Sequence, residues 1–320
     1  MIDKKYSLGI DIGGTNTVFG LIDSSGHIIK KDSILTNSNN PPRSLFEKIF
    51  NTIKKWEIEL DISDIVKDIG VGVPNGNYFT GMVVSPPNMG KDWDELNLCS
   101  LIKTFKNVPV SITNDANAAA LGEKYYGVAK SMNDVVVITL GTGLGSGIIV
   151  DNNIVYGHDG FAGELGHLII DPEGRECGCG RRGCLEMYIS AKGLNYTVRE
   201  YRQEYPDNKF LQSIDFQNVD GKLFDNAFDD GEKIVIDIYK YTGHMLGVGL
   251  AQIAKILSPE AFVFYGGLSN AKHRILDSAK DSMNANRSKY QKHKIKILLS
   301  ELPDGEAGIL GASCLNILRN

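Results

Sequence analysis

The apolar positions fall into short runs of strand length separated by longer stretches with helical spacing. Residues 6–10 form an apolar strand that gives way to Asp11 and a glycine turn. Segment 8–23 reads LGIDIGGTNTVFGLID, and segment 136–151 reads VVITLGTGLGSGIIVD. With Gly13 set on Gly141, Asp23 falls on Asp151 without a gap. Each copy predicts strand, Gly/Thr-rich turn, second strand and short polar turn. A third strand follows at residues 27–30 and 154–156. Two such copies point to two related α/β domains, each opening on a β-meander.

Between and after the copies the pattern alternates. Residues 43–56 have helical spacing behind Pro41-Pro42, and 69–73 form a buried strand ending at Pro74. Residues 108–113 predict a strand, with an alanine-rich helix over 116–125. A loop-rich stretch spans 157–183, followed by helices near 185–201. Residues 210–230 are polar and carry no clear assignment. Residues 233–257 predict one long helix stopped by Ser258-Pro259, then strands at 261–264 and 295–299 and a closing helix at 308–318. This alternation defines an α/β architecture.

The two glycine turns carry the first candidate chemistry. Asp11-Ile12-Gly13-Gly14-Thr15-Asn16 follows a strand, and adjacent glycines let successive N–H groups face one concavity suited to phosphate. Thr15 and Asn16 add donors, and Asp11 offers a carboxylate to magnesium. Gly141, Thr142 and Gly143 open an equivalent surface in the second copy. The competing reading is a pair of tight hairpins that need glycine only for positive φ. The G-x-x-x-x-G-K-[ST] and G-x-G-x-x-G patterns are both missing, which excludes a P-loop and disfavours a dinucleotide fold.

Thr113-Asn114-Asp115-Ala116 lies where a buried strand passes into a helix. Asn114 or Asp115 could cap that helix. Asp115 could also take the proton from an attacking hydroxyl, since phosphoryl transfer needs chiefly positioning, charge neutralisation and such a base. Asn88, Glu164, His167 and Glu186 are candidates for polar contacts to a sugar. His167, Cys177, Cys179 and Cys184 make a tetrahedral zinc set, with intervening glycines that allow the loop to wrap. With four protein ligands the site is structural, and zinc would fix the backbone that carries Glu164 and Glu186.

Length and charge narrow the partners. The 320 residues suffice for two domains. Lys and Arg number 34 against 39 Asp and Glu, giving a net charge of −5, which disfavours nucleic acid or anionic membrane as a bulk partner. No apolar stretch reaches the length of a membrane span, and Asp11 interrupts the only candidate signal segment. The expected location is the cytoplasm. Five cysteines, an odd number, argue against a disulfide framework; Cys99 and Cys314 read as ordinary buried thiols.

Together these motifs resemble the ROK family of repressors, open reading frames and sugar kinases, within the actin-like, hexokinase-like ATPase superfamily. The resemblance rests on DIGGTN at 11–16, NDANAAALGE at 114–123, LGTGLGSG at 140–147, GELGH at 163–167 and CGCGRRGCLE at 177–186. Gly266-Gly267 is similar to the family's adenosine-side glycine pair. Two positions depart from the pattern: Asn75-Gly76 stands where Pro-Gly is usual, and Tyr265 replaces a usual glycine.

The resemblance implies two actin-like (ribonuclease H-like) domains with a ligand cleft between them. The expected division is residues 1–115 with 305–320, and residues 116–304. It implies ATP-dependent phosphorylation of a hexose, glucose being favoured and N-acetylmannosamine or N-acetylglucosamine the alternatives. Asp115 would be the base, with Asn88, Asn114, Glu164, His167 and Glu186 on the sugar. His167 would serve zinc with one nitrogen and sugar with the other. ATP would take magnesium, and members are commonly dimers whose C-terminal helix returns to the N-terminal domain. A sugar-responsive repressor is the non-enzyme alternative. It is disfavoured by the negative charge and by the few residues ahead of the first strand, where a helix-turn-helix is expected.

Overall fold

The computed structural model describes residues 5–215 and 220–316. In chain order the elements begin with β1 (Tyr6–Ile12), β2 (Asn16–Ile22), β3 (Ile28–Leu35), α1 (Pro42–Glu59), β4 (Val66–Gly72), β5 (Met82–Val83), β6 (Leu96–Asn97), α2 (Leu98–Lys103), β7 (Val110–Thr113) and α3 (Asp115–Tyr125). They continue with β8 (Val135–Leu140), β9 (Leu144–Val150), β10 (Asn153–Ile154), α4 (Glu186–Ile189), α5 (Ala191–Glu204), α6 (Lys209–Gln212), α7 (Gly221–Asp229) and α8 (Lys233–Leu257). The last four are β11 (Ala261–Tyr265), α9 (His273–Asn286), β12 (Lys296–Leu299) and α10 (Glu306–Ser313).

Two five-stranded sheets have the same topology, β3-β2-β1-β4-β7 and β10-β9-β8-β11-β12. In the first, β1 is antiparallel to β2 and parallel to β4, and β4 is parallel to β7. In the second, β11 runs parallel to both β8 and β12. The repeat legible in two glycine turns is therefore a repeat of whole sheets. The chain divides into two compact units, Met1–Asn133 with Gly147–Gly163 and Ser300–Asn320, and Asp134–Ser146 with Glu164–Leu299.

In unit one the meander and β4 bury Leu8, Ile10, Phe19, Leu21, Ile69 and Val71 against Leu45, Phe46, Ile49, Phe50, Ile53 and Trp56 of α1. That spacing puts the α1 residues on one stripe, and Pro42 in the first turn costs no helical hydrogen bond. Each large side chain so buried contributes roughly 1.5–3 kcal/mol.

The α10 backbone lies almost directly on β1 and β4. A β-carbon at Gly9 would stand 2.0 Å from the Ile309 carbonyl oxygen, and one at Gly70 only 1.8 Å from that of Ala312. Helix α3 meets α10 the same way, since a β-carbon at Gly311 would reach within 1.7 Å of the Ala118 oxygen. Small residues on four elements thus admit α10, and α3 belongs with unit one because of this packing, whereas the sequence reading ended that unit at Asp115. The expected extension of α10 to residue 318 runs beyond the described residues.

Unit two is built on α8, whose Gly243 and Gly247 let α9 approach backbone to backbone. Residues 210–230, polar in sequence, contain most of α6 and all of α7, capped by Asn208 and Asp220, with Phe224 wholly buried. Among the described residues, no helix is long and apolar enough to cross a membrane.

Candidate functional site

The strand register of unit one sets three positions side by side: Asp11 on β1 pairs with Gly72 on β4, which pairs with Thr113 on β7. Asn114 and Asp115 follow Thr113 into α3. Asn114 is the cap, its Oδ1 accepting from Ala116 N–H at 2.9 Å, and Asp115 Oδ1 accepts from the same N–H at 2.9 Å. A negative charge in the first turn of α3 is favoured by the helix dipole. Gly72 lies between the two acids, and its missing side chain lets α3 sit close on β4. A β-carbon there would lie 3.4 Å from Asp115 Cα, 3.5 Å from Asp11 Oδ1 and 2.8 Å from Ala118 Cβ.

Asp11 is also roofed by α10, because a β-carbon on Gly308 would stand 2.3 Å from Asp11 Oδ2. Burial, and then the like charge of Asp115, push the Asp11 carboxyl up to about 7. Such a carboxylate is poised to take a cation, which would relieve the repulsion. Neither Gly72 nor Gly308 was singled out from sequence. The only signal was a glycine inside an apolar strand, VGV, and one at the start of a small-residue helix.

The first glycine turn closes with Gly13 N–H donating to the Asn16 carbonyl at 2.9 Å, and Thr36 Oγ1 donating to the Gly13 carbonyl at 2.7 Å. Gly14, Thr15 and Asn16 are exposed. In unit two, Gly141 N–H donates to the Gly143 carbonyl at 3.0 Å, and Ala191 N–H to the Gly141 carbonyl at 3.0 Å. Thr142 lies between Gly141 and Gly143, exposed like Gly141. None of Gly13, Gly14, Gly141 and Gly143 has positive φ. Positive φ therefore does not explain these glycines. Gly14, Gly141 and Gly267 each have open space where a β-carbon would be. Gly266 differs: its φ of 103° and a β-carbon position 2.6 Å from the Leu140 oxygen both demand glycine. It follows β11, which pairs in parallel with β8, so the Gly266-Gly267 turn and the Gly141 turn sit at neighbouring strand ends. Tyr265 pairs with Thr139 in that ladder.

His167, Cys177, Cys179 and Cys184 come together with their ligand atoms all within 4.8 Å of one another. Cys177 Sγ lies 3.6 Å from His167 Nδ1, and Cys179 Sγ 3.6 Å from Cys184 Sγ. A tetrahedral ion held about 2.3 Å from sulfur requires S···S separations near 3.7 Å. The four residues fit a metal site. Gly180 (φ 84°) and Gly183 (φ 73°) turn the loop, and a β-carbon on Gly183 would collide with the Asp171 oxygen at 1.6 Å. Burial raises the Cys177 thiol well above its ordinary value, a penalty that a bound cation offsets by stabilising the thiolate.

The sugar candidates of unit two adjoin this set. Glu186 Oε1 lies 3.1 Å from Cys177 Sγ and 3.7 Å from His167 Nδ1, while its Oε2 is 3.0 Å from a β-carbon position on Gly143. Because Nδ1 faces the thiols, Nε2 is the His167 nitrogen left for another partner. Glu164 precedes the short turn Leu165–His167. Protein packed around its carboxyl raises it above the ordinary range, with His167 lowering it and Glu186 raising it. Arg175, not anticipated from sequence, locks the loop to α5: it donates to the Met187 carbonyl at 2.7 Å and Thr197 Oγ1 at 2.9 Å, and pairs with Glu200. Asn88, in unit one, is exposed with a left-handed φ of 61° after Pro86-Pro87.

Residues 7–318 match the ROK family. A glucokinase from Streptomyces coelicolor is 32% identical over 283 residues, covering 86% of each chain. A xylose repressor from Bacillus spizizenii is 32% identical over 290 residues, covering 89% of this chain and 71% of the repressor. The crystal structure of a ROK family glucokinase from Streptomyces griseus, solved with glucose and AMPPNP, superposes with a TM-score of 0.80 at 30% identity, covering 97% of this chain and 98% of that one. The match across nearly the whole sequence, with two sheets of repeated topology, means that this chain belongs to the ROK family.

Proposed function

We propose that this protein is an ATP-dependent sugar kinase that phosphorylates glucose at its 6-hydroxyl. The observation that carries this reading is the placement of Asp11, near the end of β1, and Asp115, just past the end of β7, on either side of β4 and close enough for the charge of Asp115 to raise the Asp11 carboxyl. Such a pair suits phosphoryl transfer, in which one carboxylate holds the nucleotide's cation and the other accepts a proton. In the reaction the sugar O6 attacks the γ-phosphorus, the bond to the β-bridging oxygen breaks, ADP leaves, and the O6 proton passes to Asp115. Magnesium, bound with ATP, would neutralise charge on the phosphates, and Asp11 is the carboxylate that would hold it.

Asn88, Asn114, Glu164, His167 and Glu186 are the residues we assign to the sugar. The backbone at Gly13, Gly14, Gly141 and Gly143, with the side chains of Thr15, Asn16 and Thr142, is assigned to the phosphates, and Gly266-Gly267 to the adenosine. Support for the phosphate role is that these turns keep glycine where no positive φ calls for it. Zinc is the metal we assign to His167, Cys177, Cys179 and Cys184, in a structural role beside Glu186. The same reading makes the protein a cytoplasmic homodimer feeding glycolysis.

The test is ADP release from Mg-ATP with glucose, mannose, fructose, N-acetylglucosamine and N-acetylmannosamine, against a control without sugar. Turnover strongest on glucose supports the proposal, and turnover strongest on an acetylated sugar redirects the specificity. The likeness to a xylose repressor favours a second reading, a sugar-binding regulator. Tight sugar binding with no turnover on any of the five would select it.

A further inference from the structure

The chain between β4 and β7 leaves the sheet as a folded excursion that carries both Asn88 and the buried Asn77. Its root lies against the strand that delivers Asp115: a β-carbon on Gly76 would stand 2.6 Å from the Thr113 carbonyl oxygen. Asn77, only 4% exposed, uses its side chain in two directions. Its Oδ1 accepts from Phe79 N–H at 3.0 Å and Thr80 N–H at 3.1 Å, which shapes the tip of the excursion as an Asx turn. Its Nδ2 donates to the Asp159 carbonyl at 2.6 Å, in the separate segment that runs on from β10 into Glu164.

Beside that bond, the rings of Tyr78 and Tyr156 stack with centroids 4.3 Å apart and planes 3° from parallel. Gly160, at φ 88°, admits the arrangement, since a β-carbon there would lie 2.7 Å from Asn77 Nδ2. A buried amide with both ends satisfied across two loops is a specific device. Truncating it to alanine would leave the Asp159 carbonyl and the Phe79 and Thr80 N–H groups without these bonds.

We propose that Asn77, with the Tyr78–Tyr156 stack, is a positioning clasp for acceptor binding. It ties the excursion bearing Asn88 to the segment that leads into Glu164, so that both candidate sugar contacts are held on ordered chain. The inference rests on the kinase reading above. The clasp touches neither the acid pair nor a glycine turn, so it acts on the sugar and leaves nucleotide binding and the chemical step alone.

The test uses the full chain and begins with wild-type turnover on the five-sugar panel, because absence of turnover there sinks the kinase reading itself and not the clasp. With turnover in hand, Asn77→Asp is the discriminating variant. An aspartate still accepts from Phe79 and Thr80 N–H, keeping the tip, but sets oxygen against the Asp159 oxygen. The expected result is a rise of about tenfold in sugar KM, with kcat and ATP KM within about twofold of wild type. Tyr156→Ala should raise sugar KM in the same way, and Tyr156→Phe, which keeps the stack, should restore it. Unchanged sugar KM in both Asn77→Asp and Tyr156→Ala would overturn the proposal. So would equal losses in ATP KM and sugar KM, which would mark a general loss of folding.

Discussion

Gly308 of α10 sits so close to Asp11 that a β-carbon on it would fall 2.3 Å from Oδ2 and 2.9 Å from Cβ of the acid. The C-terminal helix is thus part of the wall of the candidate active site, and the missing side chain is what leaves Asp11 its position.

Gly308→Ala should therefore damage activity from a helix that carries no catalytic group. Overpacking costs about 1–3 kcal/mol, partly offset by the roughly 1 kcal/mol by which alanine exceeds glycine in a helix. The net change in thermal stability is small, while displacement of Asp11 lowers kcat/KM on the order of a hundredfold. Steady-state kinetics beside a melting curve check this, and a fully active variant would contradict it.

Asp11 gives a pH signature in metal-free protein. Its carboxyl is raised from 3.8 to about 7 in the folded state by burial and by Asp115. A raised acid contributes its stability fully below the unfolded value and loses it as pH climbs through the folded one. The Asp11 contribution therefore falls between about pH 4 and pH 7. Asp11→Asn abolishes that decline and is more stable than wild type at pH 8 by about 3 kcal/mol, after allowance for partial exposure, with little gain at pH 4. The same variant loses turnover. Melting curves across pH in a chelator measure the first effect, and parallel curves for the two proteins would refute it.

The glycine turns make opposite predictions for folding and binding. Gly141 has open space where a β-carbon would go and no positive φ, so Gly141→Ala should hold or slightly raise stability, by about 1 kcal/mol at most. If the clearance serves phosphate, ATP KM rises on the order of tenfold while sugar KM stays put. Gly266→Ala, with φ 103° and the Leu140 oxygen in the way, should instead impair folding.

Metal removal tests the thiol cluster. Metal analysis should find about one zinc per chain, lost on treatment with a strong chelator or in Cys184→Ser. Because Glu186 touches Cys177 and His167, loss of metal should raise sugar KM by about tenfold or more and change ATP KM less. A metal-free preparation with normal sugar KM would detach the cluster from the sugar site.

Much of this was legible in the chain. The gapless match of two glycine turns foretold two related domains, each opening on a meander, because each turn sits at a fixed place in that meander; the shared order of all five strands is seen only in the structure. The thiol cluster was legible because its ligands lie close in sequence. The spacing of residues 233–257 gave α8 to the residue, since a long stripe of buried side chains leaves a strong period. What could not be read were contacts between distant backbones. Nothing in the pattern of residues 306–313 says that α10 lies on Gly9 and Gly70, or that Gly308 closes over Asp11. Such approaches depend on absent side chains, which leave no periodic mark. Helix α9 and the short strands β5 and β6 were missed for a related reason: α9 is mostly polar, and two-residue strands have no alternation to detect. Residues 210–230 hid α7 because only Phe224 and Ala227 of its nine residues are buried.

Whether Asp115 takes the proton from the sugar hydroxyl is decided by glucose turnover of Asp115→Asn at saturating Mg-ATP, with glucose affinity determined on the same preparation. With Asp115 as the base, affinity stays within about threefold while kcat falls about a hundredfold to ten-thousandfold. Turnover close to that of wild type would remove Asp115 as the base and with it the mechanism argued from the acid pair.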